Sequence, residues 1–321
     1  RRSSDLARKD PKMSTAPDAK LAQDTAPLSG AEIVLKALAE QGYQPDAIYG
    51  ISAGSLNAAY LVNKIGQQAL ETGTISFKQA ADDLCDFWES RITGRESLSK
   101  PLSLFELGWS ALRKKFNGLV STQPLRTLLD EELNLRNLHA SPVALKIGAV
   151  NVIDGGMHYV DPSEEAFFDY LMASSAIPIL MPMVQINGET RRSFLDGGLR
   201  DVTPIRKALA DGATEIVCIS CHPETIEGGT FDTGDLLALV DRVMDIAVNE
   251  ILNADLRETM LINNSLPLDG SPQLDGEFAG FQRVKITNIR PEQPLTVDMQ
   301  QFTKMDIRRM IEVGYAVMQK G

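Results

Sequence analysis

The sequence predicts an α/β fold: a three-layer α/β/α sandwich with a mostly parallel central sheet. Three observations lead to this prediction. Short apolar runs alternate with amphipathic helical stretches, a pattern typical of parallel sheets covered on both faces. The clearest unit, residues 46–65, combines an apolar strand, a sharp turn between glycines and a helix. Hydrophobic residues make up 43% of the 321 residues, which is enough for a large core.

The individual elements follow from residue periodicity. Predicted helices repeat apolar residues every three to four positions, and predicted strands are short, apolar and often β-branched. Helices are predicted over 31–41, 53–65, 75–92, 124–133, 167–175, 204–210, 235–263 and 304–318. Strands are predicted over 46–49, 143–152, 157–160, 191–195, 215–220 and 283–289. Residues 99–120 are less regular. We interpret them as an ordinary insertion, with a lid or acyl-chain pocket as the alternative.

Composition narrows the possible partners and compartment. The net charge of −11 argues against nucleic acid and gives no support for docking on anionic membranes. Three cysteines cannot form a fully paired framework, which favours a reducing, cytoplasmic location, with peripheral membrane contact as an option. No apolar run reaches the roughly 18 residues of a membrane span. Residues 1–28 are charged and rich in Ser, Ala and Pro, and we expect a disordered tail rather than a secretory signal.

The segment Gly50-Ile51-Ser52-Ala53-Gly54 fits the pattern Gly-x-Ser-x-Gly. Between a strand and a helix, this pattern places a serine hydroxyl on a tight turn. We expect Gly50 and Gly54 to be glycines because a Cβ would clash across that turn. The amide groups at the start of the following helix would face an oxyanion formed there. Taken alone, the pattern fits equally well a turn that merely needs small residues.

A second motif, Asp196-Gly197-Gly198, follows a predicted strand. A serine hydroxyl is a weak nucleophile and needs a base within hydrogen-bond reach. Asp196 is placed to supply one, because sites in α/β folds lie at the carboxyl ends of strands. Free aspartate, with a pKa of ~3.9, is a poor base unless desolvation raises that pKa or the serine is held close.

Together these motifs resemble the patatin-like phospholipase family over roughly residues 29–210, and more weakly at the closing helix. The matching segments are 37–60, 173–178, 195–199 and 202–205. The resemblance implies a single catalytic domain over 29–321, with a helical insertion near 75–135. It implies hydrolysis of fatty-acyl esters through an acyl-enzyme, with Ser52 as nucleophile and Asp196 as base. It requires no metal or nucleotide cofactor, and it implies a lipid ester as the partner, met in transient membrane contact.

The sequence departs from the family at one point. Patatin-like proteins carry a glycine-rich oxyanion loop before the first helix, but only Ser29-Gly30 stands there, and the apolar strand expected ahead of the loop is missing. Either the sequence omits residues between Thr25 and Leu35, or the loop is absent and the oxyanion hole is weakened. We favour the first, because a fold without its first strand should be unstable. Gly30 is the candidate oxyanion donor. The second explanation corresponds to an inactive scaffold that binds lipid or a partner.

Two other residues are alternative candidates. Asp154 could replace Asp196 as the catalytic carboxylate, and His222 could join Ser52 and Asp196 in a triad. Asp154-Gly155-Gly156 repeats the Asp-Gly-Gly motif but lies where a hairpin turn is predicted. His222 follows a predicted strand, and the order Ser52, Asp196, His222 is that of an α/β-hydrolase triad. That triad is the alternative mechanism. We interpret His139 and His158 as ordinary surface or turn residues.

Two further patterns suggest cofactors but are interpreted without them. Residues 218–222 fit Cys-x-x-Cys-His, a haem or zinc pattern, yet Cys218 lies inside a predicted strand and no second cysteine pair exists. The acidic run 161–165 lacks the spacing of a calcium loop and is interpreted as a solvated loop. The sequence leaves open the lipid head group, the acyl-chain length and the oligomeric state.

Overall fold

The structure is a computed structural model of the chain and describes residues 31–103, 118–226 and 236–292. Several predictions of the sequence analysis fall outside these ranges. They are the tail over 1–28, the candidate oxyanion donor Gly30, most of the irregular segment 99–120 and the closing helix over 304–318.

The described helices and strands alternate as the sequence predicts. The helices are α1 Ala31–Glu40, α2 Ala53–Thr72, α3 Phe77–Arg91, α4 Gln123–Glu132, α5 Leu135–Ala140, α6 Phe167–Ser174, α7 Ile205–Ala210 and α8 Leu236–Ser265. The strands are β1 Ala47–Ile51, β2 Lys100–Pro101, β3 Val120–Ser121, β4 Ala144–Asn151, β5 Met157–Val160, β6 Val184–Gln185, β7 Ser193–Asp196, β8 Glu215–Ile219 and β9 Lys285–Ile289. Helix α5 and the two-residue strands β2, β3 and β6 were not predicted, because segments this short show no clear period.

The main sheet has the order β1-β4-β7-β6, with β5 also paired to β4. The prediction of an α/β fold is confirmed, but this sheet is mixed rather than mostly parallel. β1 runs parallel to β4, whereas β5 and β7 run antiparallel to β4, and β6 runs antiparallel to β7. The reason is local for β5, because the tight turn around Gly155 reverses the chain directly after β4. The strands β8 and β9 form a separate parallel pair.

Hydrophobic clusters cover the two faces of β1. Ile48 packs against a large cluster contributed mainly by α1 to α6, and the next residue, Tyr49, packs against a second cluster from α7, α8, β8 and β9. Successive side chains of a strand point to opposite faces, so β1 lies between two helical layers. This arrangement is the three-layer order that the sequence predicts. Packing on both faces holds β1 in place, and Ser52 directly follows the carboxyl end of this strand.

Candidate active site

Ser52 stands on a strained turn between β1 and α2. Its backbone has φ 54° and ψ −130°, a conformation that is rare for any residue other than glycine. The turn is possible because Gly50 has no side chain: a Cβ there would lie 2.6 Å from the carbonyl oxygen of Gly54 and from the Cα of Ser55. The steric reason predicted for Gly54 is wrong, since a Cβ on Gly54 meets no atom within 4 Å. The space above Gly54 is therefore open.

The carboxylate of Asp196 lies directly against the serine. The Ser52 hydroxyl donates a hydrogen bond of 2.6 Å to Asp196 Oδ2. The other oxygen, Oδ1, accepts the Gly198 N–H at 2.8 Å. Asp196 ends β7 and is only 7% exposed. The structure thus brings together the two residues that the sequence motifs single out, and gives the second glycine of the Asp-Gly-Gly motif a hydrogen-bonding function.

The environment of Asp196 makes it a stronger base than free aspartate. Burial raises the pKa of Asp196 to about 6, although the hydrogen bonds from Ser52 and from the Gly198 N–H lower it. A base with a pKa near the working pH is well suited to proton transfer. The fold therefore provides both conditions under which aspartate was expected to act as a base, the raised pKa and the closely held serine.

Strand β4 lies between β1 and β7, so Ser52 and Asp196 meet across it. The residue of β4 that pairs with Ile51 is Gly148, which has no side chain to stand in between. Gly197 also approaches closely, because a Cβ there would lie 2.6 Å from the carbonyl oxygen of Gly148. Glycine is therefore needed at position 197, because the backbone there packs directly against the backbone of β4.

The end of helix α6 supports both residues. The Ser174 hydroxyl oxygen accepts the Ser52 N–H at 3.1 Å. The Ser175 hydroxyl has two acceptors for its one proton, the Leu171 carbonyl oxygen at 3.3 Å and the Ser52 carbonyl oxygen at 3.4 Å. The carbonyl oxygen of Ala176 accepts the Asp196 N–H at 3.0 Å. Sequence analysis matched this segment to the family but assigned it no function. A signal was present in the two adjacent serines at the end of a helix.

The start of α2 offers hydrogen-bond donors beside Ser52. The first amide groups of a helix have no partner within it. Ser55 N–H bonds back to the Ser52 carbonyl oxygen at 2.9 Å, but the N–H groups of Ala53 and Gly54 have no acceptor among the described residues. Positive ends of helix dipoles favour anions, so these amides could hold an oxyanion.

The structure places His222 away from this arrangement. Its Nδ1 lies 3.6 Å from Asp245 Oδ1, and the carbonyl oxygen of His222 accepts a hydrogen bond from Arg290. Asp196, by contrast, uses its carboxylate on Ser52 and Gly198. The described contacts therefore do not link His222 to Ser52 or to Asp196, and the triad gains no geometric support.

The other candidates have local structural functions. Asp154 Oδ1 accepts the Gly156 N–H at 2.7 Å, which closes the turn between β4 and β5. His158 packs edge-on against Phe194, with ring centroids 5.1 Å apart. His139 Nε2 lies 2.7 Å from the Pro162 carbonyl oxygen.

The cysteines and the acidic run also fit the interpretation given to them. Cys218 is buried, and burial raises the pKa of its thiol, while Cys221 is half-buried. Within the acidic run, the Asp161 carboxylate accepts hydrogen bonds from the N–H and hydroxyl of Ser163, and these bonds lower the pKa of Asp161. The Asp161 carboxylate is thus used in hydrogen bonds within its own loop.

A serine on a strand-to-helix turn, hydrogen-bonded to a buried base, is the arrangement of an activated nucleophile. Comparison with known proteins agrees. The family model described as patatin-like phospholipase matches residues 33–209, more than half of the chain. The chain therefore belongs to the patatin-like phospholipase family, a family of lipid acyl hydrolases. A search of curated proteins gave no match. Among the described helices, none combines the length and apolar character needed to cross a bilayer.

Proposed function

We propose that the protein hydrolyses fatty-acyl esters of lipids through a Ser52–Asp196 dyad. The observation that carries this proposal is the 2.6 Å hydrogen bond from the Ser52 hydroxyl to the buried Asp196 carboxylate. Nucleophile and base are already in contact, and burial raises the pKa of the base to about 6. Family membership supplies the substrate class, a lipid acyl ester.

The reaction proceeds in two halves. In the first, Asp196 takes the proton of the Ser52 hydroxyl as Oγ attacks the ester carbonyl carbon, and the N–H groups of Ala53 and Gly54 face the developing oxyanion. The tetrahedral intermediate collapses, the alcohol leaves with the proton from Asp196, and an acyl-enzyme remains. In the second half, Asp196 takes a proton from water, which attacks the acyl carbonyl. The fatty acid is released and Ser52 recovers its proton.

The test is hydrolysis of a chromogenic ester by the purified chain and by matched variants. Ser52→Ala and Asp196→Asn should each lower kcat by at least about 1,000-fold. Asp154→Asn is the control, because it changes the same residue type in the same Asp-Gly-Gly motif, while the Asp154 carboxylate binds the Gly156 N–H of its own turn rather than the Ser52 hydroxyl. Wild-type turnover in Ser52→Ala or Asp196→Asn would refute the dyad.

Two further measurements separate the alternatives. A fluorophosphonate probe should label Ser52 in the folded protein, and failure to label would favour a non-catalytic scaffold. His222→Ala should leave turnover within about threefold of wild type, whereas a loss of several orders of magnitude would favour the triad.

A further inference from the structure

The segment between α6 and β6, residues 177–183, is named here the rim loop because it borders the candidate active site. It begins directly after Ala176, whose carbonyl oxygen binds the Asp196 N–H. It ends at Met183, which extends the antiparallel register of β6 and β7 to a position level with Leu195. Both ends of the rim loop are therefore next to the proposed base.

The rim loop exposes large apolar side chains. Its sequence, Ile-Pro-Ile-Leu-Met-Pro-Met, contains no polar or charged side chain. Ile179 is 48% exposed and Met183 is 42% exposed. Ile179 and Met183 therefore form an apolar rim beside the Ser52–Asp196 pair, whose proposed substrate is a lipid ester.

Ile179 is held in a conformation that its side chain disfavours. Its φ is 68°, in the left-handed region, where a β-branched residue is a rare outlier. Two other non-glycine residues with positive φ occur in the described chain, Ser52 and Asn187. Asparagine tolerates this region, and Ser52 is the candidate nucleophile. Such strain persists where the surrounding structure imposes it, and it concentrates at functional sites.

The underside of the rim loop is firmly attached. Ala176 and Met181 are buried in a small cluster with Val120. The N–H groups of Leu119 and Val120 both donate to the Leu180 carbonyl oxygen, at 2.8 and 3.1 Å. Exposure of Ile179 is therefore not the result of a frayed segment. The loop is fixed from below and presents its apolar side chains outward.

We propose that the rim loop docks on the surface of zwitterionic phospholipid, with Ile179 and Met183 entering the boundary between head groups and acyl chains. This inference rests on the proposed function for its substrate and extends it to the docking surface. The partner follows from charge: the rim loop carries no cation and the chain has a net charge of −11, so the rim loop itself offers no attraction to anionic lipid. Apolar insertion is then the available source of binding free energy.

The first experiment measures sedimentation with phosphatidylcholine vesicles in a Ser52→Ala background, so that the lipid stays intact. Adding Ile179→Ser and Met183→Ser should lower the partition coefficient by about tenfold or more. The matched control is Leu268→Ser with Leu274→Ser. Those leucines are 85% and 94% exposed but lie in the segment that leads to the amino end of β9. The control should bind vesicles as its parent does.

The second experiment separates docking from chemistry in the otherwise wild-type chain. The rim-loop double variant should hydrolyse soluble 4-nitrophenyl acetate at the parent rate and vesicular phosphatidylcholine at least about tenfold more slowly. Ile179→Gly, which relieves backbone strain and so should fold, should also weaken vesicle binding. Unchanged vesicle binding in the rim-loop variants would overturn the inference, as would a rim-dependent dimer in size-exclusion chromatography without vesicle binding. If the parent cleaves no ester while docking still depends on the rim loop, the proposed function fails and the docking surface stands.

Discussion

Two aspartates near β1 have opposite surroundings. Asp196, at the carboxyl end of β1, receives hydrogen bonds from a hydroxyl and an amide but from no cation among the described residues, and burial raises its pKa to about 6. Asp211 precedes β8 and binds Lys146 Nζ at 2.7 Å and the Tyr49 hydroxyl at 2.8 Å, and it also binds Lys207. Burial would raise the pKa of Asp211, but these hydrogen bonds lower it well below its ordinary value.

The comparison shows how one residue type is adapted to two purposes. With cations around it, a carboxylate stays ionised and stabilises the fold. Without them, a buried carboxylate holds a proton more readily and can act as a base near neutral pH. The stabilising site and the proposed reactive site therefore differ in their neighbours rather than in the residue itself.

The largest expected effect is on turnover. Asp196→Asn should lower kcat by at least about 1,000-fold, because an amide cannot accept the serine proton. Asp211→Asn should leave kcat within about twofold, since Asp211 bonds to Tyr49, Lys146 and Lys207 rather than to the Ser52–Asp196 pair. Steady-state kinetics on one soluble ester would compare the two variants directly. Equal losses in both variants would mean that the two aspartates are not functionally separate.

The second effect is on stability: the variant Asp196→Asn, which should lose turnover, should gain stability. Folding raises the pKa of Asp196 from about 3.9 to about 6, so its contribution to stability is greatest below pH 4 and is lost as the pH rises through 6. At pH 8, Asp196→Asn should therefore raise the free energy of unfolding by up to about 3 kcal/mol. Urea denaturation at pH 8 and pH 4 would measure it. A gain of equal size at both pH values would contradict the linkage to ionisation.

The third effect is on the pH dependence of catalysis. Because Asp196 must be ionised to act, kcat/KM should fall about tenfold per pH unit below a midpoint near pH 6. A pH–rate profile on a neutral soluble ester would locate this limb. A limb near pH 4 would show that Asp196 is solvated as a free carboxylate would be.

The smallest effect concerns Asp211. Because folding lowers its pKa, Asp211 stabilises the fold at pH values above about 4, and the stabilisation is lost as the pH falls below that value. Asp211→Asn should lower the free energy of unfolding by about 1 kcal/mol at pH 7, since the ion pairs are partly exposed. The loss should shrink in 1 M salt, where charges are screened. Chemical denaturation at two ionic strengths would test both statements.

Local patterns were sufficient to single out Ser52 and Asp196, which the structure brings into contact. Each sits in a short motif whose glycines have a steric or hydrogen-bonding purpose, as Gly50 and Gly198 show. The α/β class was predictable for the same reason, since periodicity is local. The mixed pairing around β4 was not, because strand direction depends on contacts between segments far apart in the chain.

Other features left little trace in the sequence. The partners of Asp211 come from β1, β4 and α7, and no spacing links these positions. The hydrogen bonds between the side chains of Ser174 and Ser175 and the backbone of Ser52 also join positions far apart in the chain. Both depend on how helices and strands are placed after folding, which a motif search does not describe.

The tripeptide 174–176 has a consequence for how the site tolerates movement. Ser174 and Ser175 hold the backbone of Ser52, while Ala176 holds the backbone of Asp196. One short segment is thus bonded to the backbones of both members of the pair. We expect a displacement of this segment to move both residues in the same direction, so that the distance between their side chains changes less than the position of either one.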